Sequence, residues 1–270
     1  MGLYCLLSAS GSPGVTTTAL GLTLSWPDGR AILVDADPTG GSPVAAGFLR
    51  GQYVLPESLL ELALAQQEGM LCAATVGQHL VTLAGSQARF LPGIRSHEQA
   101  RGLVGLWEPL AEVLEEIGRS GTEVVVDAGR AGLFGHAQPV VDRSDLTLLV
   151  VRSSLVALSG ARSWADALRE RFARNGGARS LGVLLVGDRG PYSAREVAQV
   201  LGLPVVAQIA CDPAAAAVLS DGADPKGSGL QRLAGRSGWD DSALLRSLRA
   251  AGSAMTGAAR AALELAGRQA

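Results

Sequence analysis

Short apolar runs alternate with stretches of helical period along most of this chain. Runs of strand length fall at residues 3–8, 31–34, 79–83, 123–126, 146–151, 181–186 and 205–209. They are mostly unbroken rather than alternately apolar and polar, as expected of strands covered on both faces. Between them, residues 16–24, 58–67, 98–119, 158–173 and 193–201 carry helical spacing. This order predicts repeated βα units, and so an α/β fold with a mostly parallel sheet and helices on both faces. Two Gly-rich stretches, 40–51 and 129–138, follow strand ends, where open α/β sheets bind ligands.

Past Asp212 the pattern weakens. Residues 220–241 are rich in Gly, Ser and Asp and read as an irregular connection. Residues 242–267 read as a helix carrying Leu244, Leu245, Leu248, Met255, Leu263 and Leu265. Its arginines, Arg246, Arg249 and Arg260 with Arg268 just beyond, would suit a membrane-surface helix. The apolar face is mostly alanine and lacks Trp or Phe, which favours a terminal helix packed on the same domain. The expected division is residues 1–222 as the main domain and 223–270 as the connection and helix.

Composition narrows the function classes. Of 270 residues, 47% are hydrophobic and 18% charged, which suits a well-buried core. A formal net charge of −2 gives no basic field for nucleic acid. Four scattered tryptophans, Trp26, Trp107, Trp164 and Trp239, form no stacking platform either. Arg162, Arg169, Arg171 and Arg174 lie around one predicted helix, by default a solvated face. Lys226 is the one lysine; all other side-chain positive charge is arginine or histidine. Cys5, Cys72 and Cys211 are far apart and match no disulfide or zinc spacing, in keeping with a reducing cytoplasm. The start, Met1-Gly2-Leu3-Tyr4-Cys5, reads as the approach to a first strand rather than a signal peptide. No run approaches the roughly 18 apolar residues of a membrane span.

The candidate chemistry begins after the first strand. Ala9-Ser10-Gly11-Ser12-Pro13-Gly14-Val15-Thr16-Thr17-Thr18 leads into a helix. A strand, a Gly-rich turn and a Thr-rich helix start are the parts of a phosphate cradle, in which backbone N–H groups and the helix N-terminus face an anion. The full P-loop pattern places a lysine before the hydroxyl residue; here Val15 precedes Thr16. Further on, 31–34 runs into Asp35-Ala36-Asp37-Pro38, and 123–126 into Asp127-Ala128-Gly129. Three carboxylates thus stand at strand ends, where capping a loop is their alternative role.

In order and spacing, over about residues 1–222, these parts resemble the ParA/MinD family of deviant Walker-type ATPases. The family's opening loop reads roughly KGGVGKTT, its second strand ends in an Asp-x-Asp pair, and a Walker B or switch II strand follows. The segments Tyr192-Ser193-Ala194-Arg195-Glu196 and Ile209-Ala210-Cys211-Asp212-Pro213 follow its closing stretch. The resemblance implies a P-loop NTPase-like fold binding ATP or ADP with Mg²⁺. It places Gly11, Gly14, Val15, Thr16 and Thr17 around the phosphates and Asp212 near the ribose or base. It gives Thr16, Asp35 and Asp127 to the metal and makes Asp37 the residue that aligns the attacking water.

The departures bear on activity. Val15 replaces the lysine that reaches the β- and γ-phosphates, and Ser10 the signature lysine that crosses a nucleotide-sandwich dimer. Pro13 lacks an N–H, Ser12 replaces a glycine, and the base-reading asparagine corresponds to Gly187 or Asp188. One charge-assisted hydrogen bond is worth roughly 1.5–3 kcal/mol, about one or two decades of affinity. A charged donor to a transferring phosphoryl group is worth about 2.7–4 kcal/mol, so hydrolysis suffers more than binding. Arg130, just after the Asp127 strand, is the arginine expected to compensate, with a sheet-end salt bridge as its alternative. Loops similar to Gly11–Ala19 occur in actinobacterial proteins resembling MinD, and the Tad-pilus localisation proteins offer a second comparison.

The expectation is therefore a cytoplasmic regulatory or spatial-organising protein, weak or inactive as an ATPase, with ATP or ADP and Mg²⁺ bound weakly or not at all. Its partner would be a protein of a positioning or assembly system. Membrane contact would come only through that partner or weakly through the C-terminal helix, and an ATP-sandwich homodimer is not expected. One rival is a working switch ATPase rescued by arginines or by a partner. The other is a metabolic P-loop ligase or kinase like the cobalamin-pathway relatives, which needs a full phosphate grip and a substrate lid. His136 lies in the loop beyond Asp127 and could face a ligand, whereas His79 and His97 lack ligand-spaced partners.

Overall fold

A computed structural model describes residues 2–27, 29–83, 85–174, 180–188, 190–224 and 239–267. Lys226, Arg268 and most of the expected connection at 220–241 lie outside the described residues. The strands are β1 (Leu3–Ser8), β2 (Ala31–Asp35), β3 (Val81–Thr82), β4 (Arg89–Leu91), β5 (Glu123–Arg130), β6 (Leu146–Arg152), β7 (Ser180–Val186) and β8 (Val205–Ile209). They form one sheet in the order β3-β4-β2-β5-β1-β6-β7-β8, parallel except for the short β3–β4 pair. The α/β fold with a mostly parallel sheet is as expected, and the strands carrying the candidate chemistry lie at its centre.

The helices are α1 (Val15–Ser25), α2 (Ser58–Gln67), α3 (Ala73–Gln78), α4 (Trp107–Arg119), α5 (Gln138–Arg143), α6 (Leu155–Arg174), α7 (Ala194–Leu201), α8 (Pro213–Ser220) and α9 (Ala243–Gly267). Alternate residues of β1 sort them into two layers. Leu3, Cys5 and Leu7 pack in one core with α2 to α7, while Tyr4 and Leu6 pack in the other with α1, α8 and α9. Two covered faces explain the unbroken apolar strands. Leu244, Leu248, Met255 and Ala259 bury one side of α9 in the second core. The α1–α9 approach is close: a Cβ on Gly21 would stand 2.6 Å from Leu248 Cδ1 and 3.0 Å from Leu219 Cδ1.

Two expectations need correction. The helix expected at 98–119 is a 3₁₀ turn, His97–Leu103, followed by α4. Gly102 and Gly105 weaken that stretch, a capping box of Ser96 with Gln99 starts the turn, and Trp107 Nε1 donates to Gly135 O at 2.9 Å. The strand expected at 79–83 is paired only at Val81–Thr82, because β3 meets only the three-residue β4, which Pro92 follows. The short elements β4, α3, α5 and α8 carry too few residues to show a period.

Candidate functional site

The apolar residues of β2 and β5 drive both strands into the sheet centre and deliver their carboxylates to its carboxyl end. Asp35 and Asp127 are register partners on these adjacent strands, 3% and 1% exposed. Asp127 Oδ1 accepts the Gly129 N–H at 2.9 Å, and Asp35 Oδ1 that of Asp37 at 3.4 Å. Both Oδ2 atoms are buried without a well-formed hydrogen bond. Burial pushes the Asp35 carboxyl up to about 6, against the pull of the nearby Ser42 hydroxyl. Burial, then the Asp35 charge, pushes Asp127 up to about 7, against the pull of the Thr16 hydroxyl. Those two hydroxyls are near enough to act on the carboxyls without closing a good hydrogen bond to Oδ2.

Asp37 lies over the same corner, its carboxyl so close to Gly129 that a side chain there would overlap it. Its Oδ1 accepts from the Thr39 N–H at 2.9 Å and hydroxyl at 2.8 Å. Gly129 has φ +62°, so the turn needs glycine for conformation and for space. His136 also faces this corner; burial lowers its pKa despite nearby Asp37, and its Nε2 is buried without a partner.

The loop after β1 keeps a cradle's backbone. Gly11, Ser12 and Gly14 have φ of +74°, +45° and +101°, so Ser12 holds a left-handed conformation at about 1–2 kcal/mol. Gly14 starts α1, and no side chain caps that N-terminus, leaving its first N–H groups open to an anion. The side chains supply no cation. Val15 is 7% exposed and packs in the second core. Ser10 turns onto α6, where its hydroxyl fills the space a side chain on Gly160 would need.

Beside the loop lies a cleft of about 400 Å³, bounded by Pro13, Gly14, Thr17, Thr18, Arg152 and Asp212, with Val186, Ile209, Ala216 and Leu244 as apolar wall. The structure thus groups Thr16, Asp35, Asp37 and Asp127 at one corner, and Gly14, Thr17 and Asp212 along the adjoining cleft. Asp212 is half-buried and caps α8, accepting the Ala215 N–H at 3.1 Å. Arg130 is exposed and donates from Nε to Ala9 O at 3.3 Å, against the base of the loop. Gly187, with φ +106°, and Asp188, which accepts the Cys211 N–H at 3.4 Å, stand near the far end of the cleft. Arg152, at the end of β6, was not a sequence candidate.

Among the described residues no three His, Cys, Asp or Glu side chains are grouped to hold a metal by themselves. Mg²⁺ usually takes one or two carboxylates together with waters and phosphate oxygens. The orphaned Asp127 Oδ2 beside Thr16 fits such an ion brought in on a phosphate chain. Elsewhere, His79 pairs with Glu61 at 2.9 Å, Arg169 with Asp166 at 2.8 Å and Arg171 with Asp142. The three cysteines are free. No helix among the described residues is long and apolar enough to cross a membrane.

No family model matches the chain, and no curated protein matches it. Solved structures do. The cell division ATPase MinD of Pyrococcus furiosus superposes with a TM-score of 0.67 at 18% identity, covering 95% of this chain and 99% of that one. A ParA family ATPase from Chlorobium tepidum gives 0.65 at 16% identity, covering 92% and 96%. The septum site-determining protein MinD of Pyrococcus horikoshii, complexed with Mg-ADP, gives 0.63 at 16%, covering 92% and 93%. At these identities the likeness establishes the fold: a P-loop α/β fold of the MinD and ParA kind.

Proposed function

We propose that this chain is a regulatory or spatial-organising protein whose degenerate nucleotide site binds ATP or ADP with Mg²⁺ weakly and hydrolyses ATP slowly or not at all. One observation carries the reading: the carboxylate corner is built and buried, while Val15 and Ser10, at the two lysine positions, bring no positive charge. Thr16 and Asp127, with Asp35 behind them, would hold the metal, which when bound would neutralise phosphate charge. Asp37 would orient the attacking water, and Asp212 would lie toward the sugar or base. The uncapped N–H groups of α1 would bind phosphate, but helix-end partial charges alone do not replace two ammonium groups. Work in positioning or assembly would then run through a protein partner, in the cytoplasm, with any membrane contact through that partner or the C-terminal helix.

Ser10 packed on α6 also bears on assembly. A nucleotide sandwich bridged by that position needs a long cation reaching a second subunit, and a serine hydroxyl turned onto its own helix does not reach. Adding ATP and Mg²⁺ is expected to leave the molecular mass unchanged in light scattering at fixed protein concentration, with Mg²⁺-dependent turnover near background. An ATP-driven doubling of mass, or brisk turnover, would make the protein a working switch instead.

A further inference from the structure

We propose that Arg152 grips the phosphate chain at this site, from the next strand rather than from the loop. The inference rests on reading the cleft as a weak nucleotide site and names the cation that reading otherwise lacks. Arg152 ends β6, the neighbour of β1 on the side away from β5. Its backbone therefore emerges beside the loop that begins after Ser8. It borders the 400 Å³ cleft together with Pro13, Gly14, Thr17 and Thr18. It also borders a second cleft of about 130 Å³ on the loop's other side, with Ala9, Ser10, Gly11 and Pro13. Among the described residues, Pro13 and Arg152 are the two common to both, and Arg152 is the one basic residue lining either.

The other candidates stand outside these clefts. Arg130 lines neither cleft, and its Nε donates to Ala9 O. Val15 is buried in the core. Arg152 is exposed, and among the described residues its guanidinium makes no hydrogen bond or ion pair. An unpaired guanidinium at the edge of a cleft offers a planar fork that binds phosphate through two parallel N–H···O bonds. An independent sign of a ligand is Asp127 Oδ2, buried without a well-formed hydrogen bond although the Thr16 hydroxyl in the first turn of α1 is near. A phosphate chain carrying a divalent cation would satisfy both that oxygen and Arg152. The apolar wall of Val186, Ile209, Ala216 and Leu244 extends the cleft beyond the arginine and suits a flat base. The ligand class is a nucleoside di- or triphosphate.

The test is calorimetry on the full chain, freed of nucleotide, with ADP, pyrophosphate and adenosine as separate probes in the presence of Mg²⁺. Arg152→Ala is expected to weaken ADP and pyrophosphate at least about tenfold, within the range of one charge-assisted contact, and to leave adenosine unchanged. Arg152→Lys should fall between, because charge is kept and the fork lost. Arg174→Ala, at the far end of α6, should bind as the parent does. Since Arg152 is exposed, melting temperatures should not move; if Arg152→Ala does not fold, Arg152→Gln takes its place. The proposal is overturned if Arg152→Ala holds ADP as the parent does, or if ADP and adenosine weaken equally. It is also overturned if the parent takes up none of the three probes, in which case the weak-site reading survives only as a scaffold without a ligand. Brisk turnover by the parent would end that reading, yet the Arg152 variants would still decide this one.

Discussion

The two halves of the site contrast in what they cost the fold. At the carboxylate corner, Asp35 and Asp127 are buried on neighbouring strands with an oxygen each left without a good partner. Desolvated carboxylates of this kind destabilise a protein unless something arrives to compensate. On the loop side, Val15 sits in the hydrophobic core, where a buried valine contributes roughly 1.5–3 kcal/mol. One half is held against folding stability and the other has settled in its favour. The lesson is that the backbone turn of this loop is compatible with an apolar side chain packed in the core, whereas the carboxylate corner has no such packing open to it without losing its oxygens.

The sharpest way to break the contrast is at Gly129. Gly129→Ala forces a side chain at φ +62° into the Asp37 carboxyl, and should destabilise by about 3 kcal/mol from backbone strain and overlap together. Chemical denaturation would show this as a lower midpoint at unchanged slope. A near-neutral result would mean that Asp37 is free to move and that the corner is looser than described.

A smaller effect of opposite sign is expected at Asp127. Its carboxyl titrates near 7 when folded and near the ordinary 3.9 when unfolded, so between those values the folded state holds the extra proton. Its contribution therefore falls as pH rises from about 4 to about 7 and stays low above that. Asp127→Asn should remove this part of the slope, leaving that of Asp35, and raise stability at pH 8 on the order of 2 kcal/mol. Melting curves across that range decide it; a variant less stable than the parent at pH 8 would show that the carboxylate is already compensated.

Smallest is the effect of placing a charge in the loop. Val15→Lys should tighten ATP at least about tenfold, 1.4 kcal/mol, with turnover rising less because Ser10 and Pro13 remain. The parent's packing is lost, so the same variant should melt earlier by about 1–2 kcal/mol of stability. Unchanged affinity in calorimetry would show that the loop does not form a phosphate cradle.

What could be read beforehand follows the length and burial of each element. β1 and β8 match the expected residues 3–8 and 205–209 because each is an apolar run ended by polar or Gly/Pro signals. Asp35 and Asp127 were visible because each directly follows such a run, and the sheet order set them side by side. Elements as short as β4, or as α5 with its six residues, give no period to detect. The cleft was less legible, since Thr17, Arg152 and Asp212 meet only through sheet order. Arg152 carries no local signal at all: it is one arginine at a strand end, and its neighbour β1 lies more than a hundred residues earlier in the chain. Nor does a sequence motif show that Val15 faces the core or that Ser10 turns onto α6.

Gly21 sits one and a half turns into the helix that begins at the loop, wedged against Leu248 of α9 and Leu219 of α8. A helix seated that tightly has little freedom to slide or tilt. The loop at its head would then present a preset contour to any ligand that binds there. Recognition of that sort needs little reorganisation on binding, so even a shallow affinity would come with a narrow choice of shapes.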